Sequence, residues 1–288
     1  MKTIKYTLAV TVVLSLMIAL LAFQGLKTDD EPKQKKASTD YTIVQKWEMP
    51  KYLREISGIA WLPDGKMACV QDEEGEIFIY DLESNKILQN IHFADSGDYE
   101  GIAVHDDTAY VMRSDGKIFE VARFRESGKA KTISYKTEFS SKNNMETLAI
   151  SRDGSYLISA PKDRDKVDEF KGLYKIDLES RLVDAVPTVS INMEDDAFED
   201  YLEKKVYKTF SPSDAAVHPL TGEYYVLEGI DPKLVILEKD GTIKKVIELD
   251  EDDFAQPEGI TFSQDGTLFI SNEASKKNKA NILEVKLN

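Results

Sequence analysis

The sequence predicts an all-β fold: a five-bladed β-propeller of four-stranded antiparallel blades, its ring closed by the N-terminal strand. Three observations carry this. A short motif, an acid or serine followed by a small residue and an apolar run, recurs at Ser57-Gly58-Ile59-Ala60, Glu100-Gly101-Ile102-Ala103, Glu146-Thr147-Leu148-Ala149, Asp214-Ala215-Ala216-Val217 and Glu258-Gly259-Ile260-Thr261. Its spacing stays in the low-to-mid forties except for one long interval before Asp214, and a period near forty marks a propeller array. Between the motifs, apolar and polar residues alternate in short runs separated by Asp-Gly turns.

The elements follow in order. Residues 41–47 form a strand with no partner in the first repeat. The repeats then read as strands over 58–62, 66–71, 76–81 and 87–93; over 101–104, 108–113, 117–121 and 132–139; over 147–150, 156–160, 173–178 and 186–191; and over 215–218, 223–227, 234–237 and 243–249. A last repeat, 259–262, 267–272 and 282–287, ends one strand short. Strand 41–47 completes it and leaves the ring without a free edge. Six blades is the alternative, if the long interval hides one, but 192–213 holds too few strand-like residues.

Before the propeller, residues 1–28 read as a membrane anchor or a signal, and 29–40 as a polar linker. The stretch 7–23 is apolar and uncharged, and Lys2 and Lys5 precede it. An uncleaved anchor with the propeller outside the membrane is the expectation; the alternative is secretion after cleavage. The propeller domain spans 41–288, with an insertion at 192–213 that reads as a lid over the channel or as a solvated decoration.

The chain has 288 residues, a net charge of −15, one cysteine and three histidines. So acidic a domain repels phosphate backbones, which excludes nucleic acid as the expected partner. The lone Cys69 excludes internal disulfides and reads as a small buried hydrophobe. His92, His105 and His218 share no metal-ligand spacing.

Topology sorts the loops. The starts of the innermost strands and the loops after each second strand share one face with the long segments 162–172, 192–213 and 272–280. The tight turns Asp64-Gly65, Asp153-Gly154, Thr221-Gly222, Asp240-Gly241 and Asp265-Gly266 share the other. Glu100, Glu146, Asp214 and Glu258, with Ser57 in the fifth place, therefore converge at one channel mouth. At an effective dielectric near 20, two charges about 6 Å apart repel by roughly 2–3 kcal/mol. Protonation or a bound cation relieves this, and all-oxygen donors suit Ca2+. Blade packing alone accounts for the small residues but not for the recurring acids. Arg113, Lys162 and Arg164 fall on the same face, either to neutralise the acids or as ordinary surface charges. Asp72, Glu73, Glu228 and Glu273 occupy equivalent strand ends.

These segments, with Glu55-Ile56-Ser57-Gly58-Ile59, Gln256-Pro257-Glu258-Gly259-Ile260 and Ser271-Asn272-Glu273, resemble the SdiA-regulated family of YjiK-type propellers over roughly residues 41–288. More distantly, they are similar to NHL-repeat and phytase-like propellers. The resemblance implies five blades, a calcium ion at the channel acids and a membrane-anchored domain, with no established enzyme activity. The expected function is thus a membrane-anchored, extracytoplasmic (periplasmic), calcium-binding module taking an unknown small ligand or protein on its long-loop face. The alternative is a metal-dependent hydrolase of a phosphate ester or lactone.

Overall fold

Five separate four-stranded sheets form in the computed structural model, which describes residues 40–288. β1 (Tyr41–Glu48) precedes the first blade. The first blade is β2 (Ile56–Leu62), β3 (Lys66–Gln71), β4 (Glu76–Asp81) and β5 (Lys86–His92). The second is β6 (Tyr99–His105), β7 (Thr108–Arg113), β8 (Lys117–Ala122) and β9 (Lys131–Lys136). The third is β10 (Ala149–Ile150), β11 (Tyr156–Ser159), β12 (Phe170–Asp177) and β13 (Val189–Asn192). The fourth is β14 (Pro212–Val217), β15 (Tyr224–Glu228), β16 (Lys233–Leu237) and β17 (Ile243–Glu248). The fifth is β18 (Pro257–Phe262), β19 (Leu268–Asn272) and β20 (Asn281–Leu287), and β1 pairs antiparallel with β20 to complete it, from Tyr41 opposite Leu287 to Glu48 opposite Asn281. Five blades and closure by the N-terminal strand are as the sequence predicts. The predicted anchor and all of the linker but Asp40 lie outside the described residues. Among the described residues no helix is long and apolar enough to cross a membrane.

The burial of each strand explains its composition. Middle strands such as β4 are packed on both faces and read as continuous apolar runs, whereas the outermost β5 alternates between exposed and covered residues. An inner strand has a blade on each side, so both of its faces are dry. The core accordingly falls into five clusters, one between each pair of neighbouring blades: Ile79 and Phe93 against Phe119 is one, Leu234 and Phe254 against Leu283 another. Each fully buried Leu, Ile or Phe contributes about 1.5–3 kcal/mol, more than a typical exposed ion pair at about 0–1 kcal/mol. Cys69 is fully buried in the cluster between the fifth and first blades. Trp47 on β1 donates its indole N–H to the Leu82 carbonyl at 2.9 Å, so the closing strand also fastens the fifth blade to the first.

The small residue of each motif lets inner strands meet. A Cβ built on Gly101 would lie 2.6 Å from the Glu146 carbonyl oxygen, and one on Gly58 would lie 3.0 Å from that of Glu100. The predicted tight turns form on the opposite face, with Gly65 at φ 66° and Gly266 at φ 90°, a left-handed conformation that glycine adopts without strain.

The insertion forms two short 3-10 helices, Asp196–Tyr201 and Val206–Lys208. Asp195 caps the first by accepting from the Ala197 N–H at 2.9 Å. Phe198 and Phe210 are fully buried and stack 5.7 Å apart in the cluster between the third and fourth blades. None of residues 192–213 lines the channel mouth described below. The lid reading is therefore corrected: two buried phenylalanines anchor this segment to a blade interface.

Candidate functional site

Each inner strand hydrogen-bonds to its own blade on one side only, which leaves its other edge facing the axis. Those N–H and C=O groups need partners. The motif residues supply several. Ser57 donates its hydroxyl to the Tyr99 carbonyl at 2.6 Å, and Ser213 donates to the Pro257 carbonyl at 3.0 Å. Asp214 accepts from the Leu148 N–H at 3.2 Å through one oxygen and from the Ile260 N–H at 2.9 Å through the other. Its carboxylate thereby ties the third, fourth and fifth blades at the axis.

That placement corrects the expected ring. The ladder skips Ser57 in β2, Glu100 in β6, Ser213 in β14 and Glu258 in β18, each as a bulge residue. Ser213, not Asp214, is thus the counterpart of Glu258, and Asp214 is the counterpart of Gly259. The bulge residues, together with Glu146 of the third blade, make a ring of three glutamates and two serines. Asp214 lines neither this mouth nor the cavity at the far end of the channel.

Glu100, Glu146 and Glu258 do meet, with Ser57, around a cavity of about 160 Å³ that also takes in Glu55, Asp72, Gln256, Glu273 and Lys162. The sequence placed Asp72, Glu273 and Lys162 on this face but not at its centre. Of the three basic residues read as neutralising the acids or as surface charges, Lys162 is the one that reaches them. Its ammonium sits 2.5 Å from Glu146 Oε2, with only 15% of its side chain exposed. Burial pulls its pKa down, and the charges of Glu146, Glu258 and Glu100 more than reverse this. Lys171, fully buried, clamps the loop that carries Lys162 by donating to the carbonyls of Lys162 (2.6 Å) and Asp163. Arg113 instead pairs with Asp115, Arg164 lies 3.6 Å from Asp168 and over the Tyr207 ring, and Glu228 pairs with Lys233. Glu73 borders a separate surface cleft.

Compensation is uneven around the ring. On the Glu146 side, Asn144 donates to Oε1 at 2.9 Å and Lys162 faces Oε2. Gln256 bridges Glu258 and Glu273 through its amide. On the Glu100 side, among the described residues, no donor reaches the Glu100 carboxylate, and Asp72 Oδ1 is buried without a hydrogen-bond partner. Burial, then the charges of Glu146, Asp98 and Glu258, push the Glu100 carboxyl up to about 9. Burial also raises Glu146 to about 8 despite Lys162, and raises Glu258 against the same ammonium. Glu273 rises to about 7 through burial and then Glu258, and Asp72 to about 6 through burial and then Glu55.

The donors fit a hard cation in kind: all are oxygens, and one is buried and unsatisfied. They fit on the Glu100, Glu258, Glu273 and Asp72 side, because Lys162 already serves Glu146. Ser57 lines the same cavity and, donating only its proton to the Tyr99 carbonyl, keeps its oxygen lone pairs, whereas both Asp214 oxygens accept inner-strand N–H groups and the residue lies outside the cavity. As the side chains stand, no group of three or more acidic, His or Cys side chains among the described residues is gathered closely enough to form a ready-made metal centre.

The profile of the SdiA-regulated family matches residues 33–276. No curated protein matches in sequence. Among solved structures, a glutaminyl cyclase from Myxococcus xanthus superposes with a TM-score of 0.59 at 12% identity, over 86% of this chain and 96% of that one. An aldose sugar dehydrogenase from Streptomyces coelicolor, bound to PQQ, gives 0.54 at 13% identity, over 86% and 98%. A chain of a nidogen/laminin complex gives 0.51 at 15%, over 75% and 72%. At these identities the likeness is one of fold: the same scaffold carries enzymes and binding proteins alike.

Proposed function

The chain belongs to the SdiA-regulated family, and on that footing we propose that it is a non-catalytic binding module whose acid-lined mouth takes a cation, with calcium as the first candidate. The observation that carries this reading is the half-compensated carboxylate cluster. Lys162 pairs directly with Glu146, while among the described residues Glu100 and Asp72 form no salt bridge and Asp72 keeps a buried oxygen without a partner. Glu100, Glu258, Glu273 and Asp72 would hold the ion, and Ca2+ tolerates the mix of carboxylate and water oxygens that such a mouth can offer. What the ion supplies is countercharge: it would fix the glutamates in their ionised form and set the shape of the long-loop face for a small ligand or protein. The lysine-flanked apolar stretch 7–23 supports an N-terminal anchor that holds the propeller on the extracytoplasmic side of the membrane.

Calorimetric titration of the chelated full chain with calcium tests this, alongside Glu100→Gln and Glu258→Gln. Saturable binding in the wild type, weakened at least about tenfold in each variant, is the expected result. Absence of heat, with no calcium-induced change in melting temperature, rules the cation site out. Turnover of phosphate esters or lactones in the presence of metal would replace the non-catalytic reading with that of a hydrolase.

Cation binding to protonated carboxyls displaces protons, so affinity has a direction with pH. With Glu100 raised to about 9 and Glu273 to about 7, calcium should bind more tightly at pH 8 than at pH 6. Equal affinities at the two values would separate binding from these groups.

A further inference from the structure

The channel opens at its other end into a cavity of about 540 Å³ on the tight-turn face, far larger than the acid-lined mouth. A second regularity of the repeats keeps it open. Two residues after the small residue of the first, second and fifth motifs, and at the matching places of the other two, stand Ala60, Ala103, Ala149, Ala216 and Thr261, one per blade, and all five line this cavity. Ala60, Ala103, Ala149 and Ala216 are also buried in the cores between blades, so close blade packing holds these positions small. Further out Trp61, Ile150, Val217 and Phe262 give an apolar stretch of wall, and Ser151, Ser263 and Gln264 a polar one. Asp214, bonded to the N–H groups of Leu148 and Ile260, ties the inner strands without lining the cavity.

The charges at this mouth are opposite in sign to the chain as a whole. Arg125 and Arg152 stand at the rim. Arg125 is held by donating to the Asp106 carbonyl at 3.0 Å, which leaves its guanidinium charge without a carboxylate. Arg152 is exposed and, among the described residues, forms no ion pair or hydrogen bond. The acids of the flanking turns stay ionised but lie outside this lining: Asp153 accepts from Ser151 and Ser155, Asp265 from Ser263 and Thr267, and each borders a different surface cleft. Asp106 is the one carboxylate at the rim, and its side chain points to water beside His105.

We propose that this cavity binds a small amphiphile, its apolar body in the alanine-lined bore and its carboxylate between Arg125 and Arg152. Cavities of about 300–1,000 Å³ with apolar walls and few polar anchors are the usual form of small-molecule sites. A cationic amphiphile is disfavoured by the two guanidinium groups, and a fully polar ligand gains little from the wall.

Trp61 gives a built-in reporter, since the chain has only two tryptophans and the other, Trp47, is buried away from the cavity. The experiment titrates the full chain with dodecanoate below its micelle concentration and reads tryptophan emission, with dodecanol and dodecylammonium as comparison ligands. Saturable change with dodecanoate is expected, and weaker binding of both comparison ligands. Reversing both arginines (Arg125→Glu with Arg152→Glu) removes two attractions and adds two repulsions, for a loss of about tenfold in affinity. Val217→Asp, checked by circular dichroism for an intact fold, should weaken binding strongly by setting a negative charge in the apolar stretch of the wall. Equal binding of dodecanoate and dodecylammonium overturns the proposal. So does undiminished binding in a folded Val217→Asp chain, or the absence of any saturable signal.

Discussion

Asp214→Ala should lower stability by about 2–6 kcal/mol, a large effect for a single substitution. The residue is 1% exposed, and its two oxygens accept the Leu148 and Ile260 N–H groups on inner strands of two neighbouring blades. Removing the carboxylate leaves two buried donors unsatisfied, each at about 1–3 kcal/mol. Burial pushes the Asp214 pKa well up, opposed by the N–H donors of Ile260, Ala215 and Leu148. Asp214→Asn offers one oxygen and sets an NH2 group against the second donor, so it too should destabilise, by about 1–3 kcal/mol. Chemical denaturation of the three chains measures both. An Asp214→Ala chain as stable as wild type would mean that water serves those N–H groups and that the residue is no axial tie.

Glu100→Gln should change how stability depends on pH. The Glu100 carboxyl is raised from its ordinary value to about 9, so between those values the folded chain holds a proton that the unfolded chain has released. Its stabilising contribution is therefore complete below about pH 4.5 and is lost as pH rises through 9. Glu146, raised to about 8, and Glu273, raised to about 7, act in the same direction. In chelated buffer the melting temperature should fall steadily from pH 5.5 to 8, and more shallowly in Glu100→Gln, which stays neutral throughout. At pH 8 the variant should melt several degrees above wild type, since about 1 kcal/mol moves the midpoint of a domain this large by about 2–4 °C. Parallel curves for the two chains would show Glu100 to be solvated and already ionised. The same substitution is expected to cost calcium binding, so one change would strengthen the fold and weaken the site.

The acids of the mouth were legible as a set because their spacing follows the blade period, but the fourth position was not. An acid followed by a small apolar residue picks out Asp214-Ala215. The bulge between Pro212 and Asp214 shifts the ring position to Ser213. One signal was available: Pro212 and Pro257 align, which sets Ser213 against Glu258 and Asp214 against Gly259. Strand side chains alternate, so a slip of one residue moves a carboxylate from one environment to another. Lys162 gave no such signal, because a lysine in a long loop reads the same whether it is solvated or buried against a glutamate.

What the sequence by itself determined is the number of blades, the closing strand and the face on which each loop lies. These rest on local period, turn chemistry and strand counting, which act over a few residues and are indifferent to how blades meet. What only the tertiary structure decided is the use of the axis: which carboxylates Lys162 neutralises, that Asp214 ties three blades, and that a wider, arginine-rimmed cavity lies at the opposite mouth. Those depend on how closely five inner strands and the loops between them approach one another, a distance set by packing between blades rather than by local period.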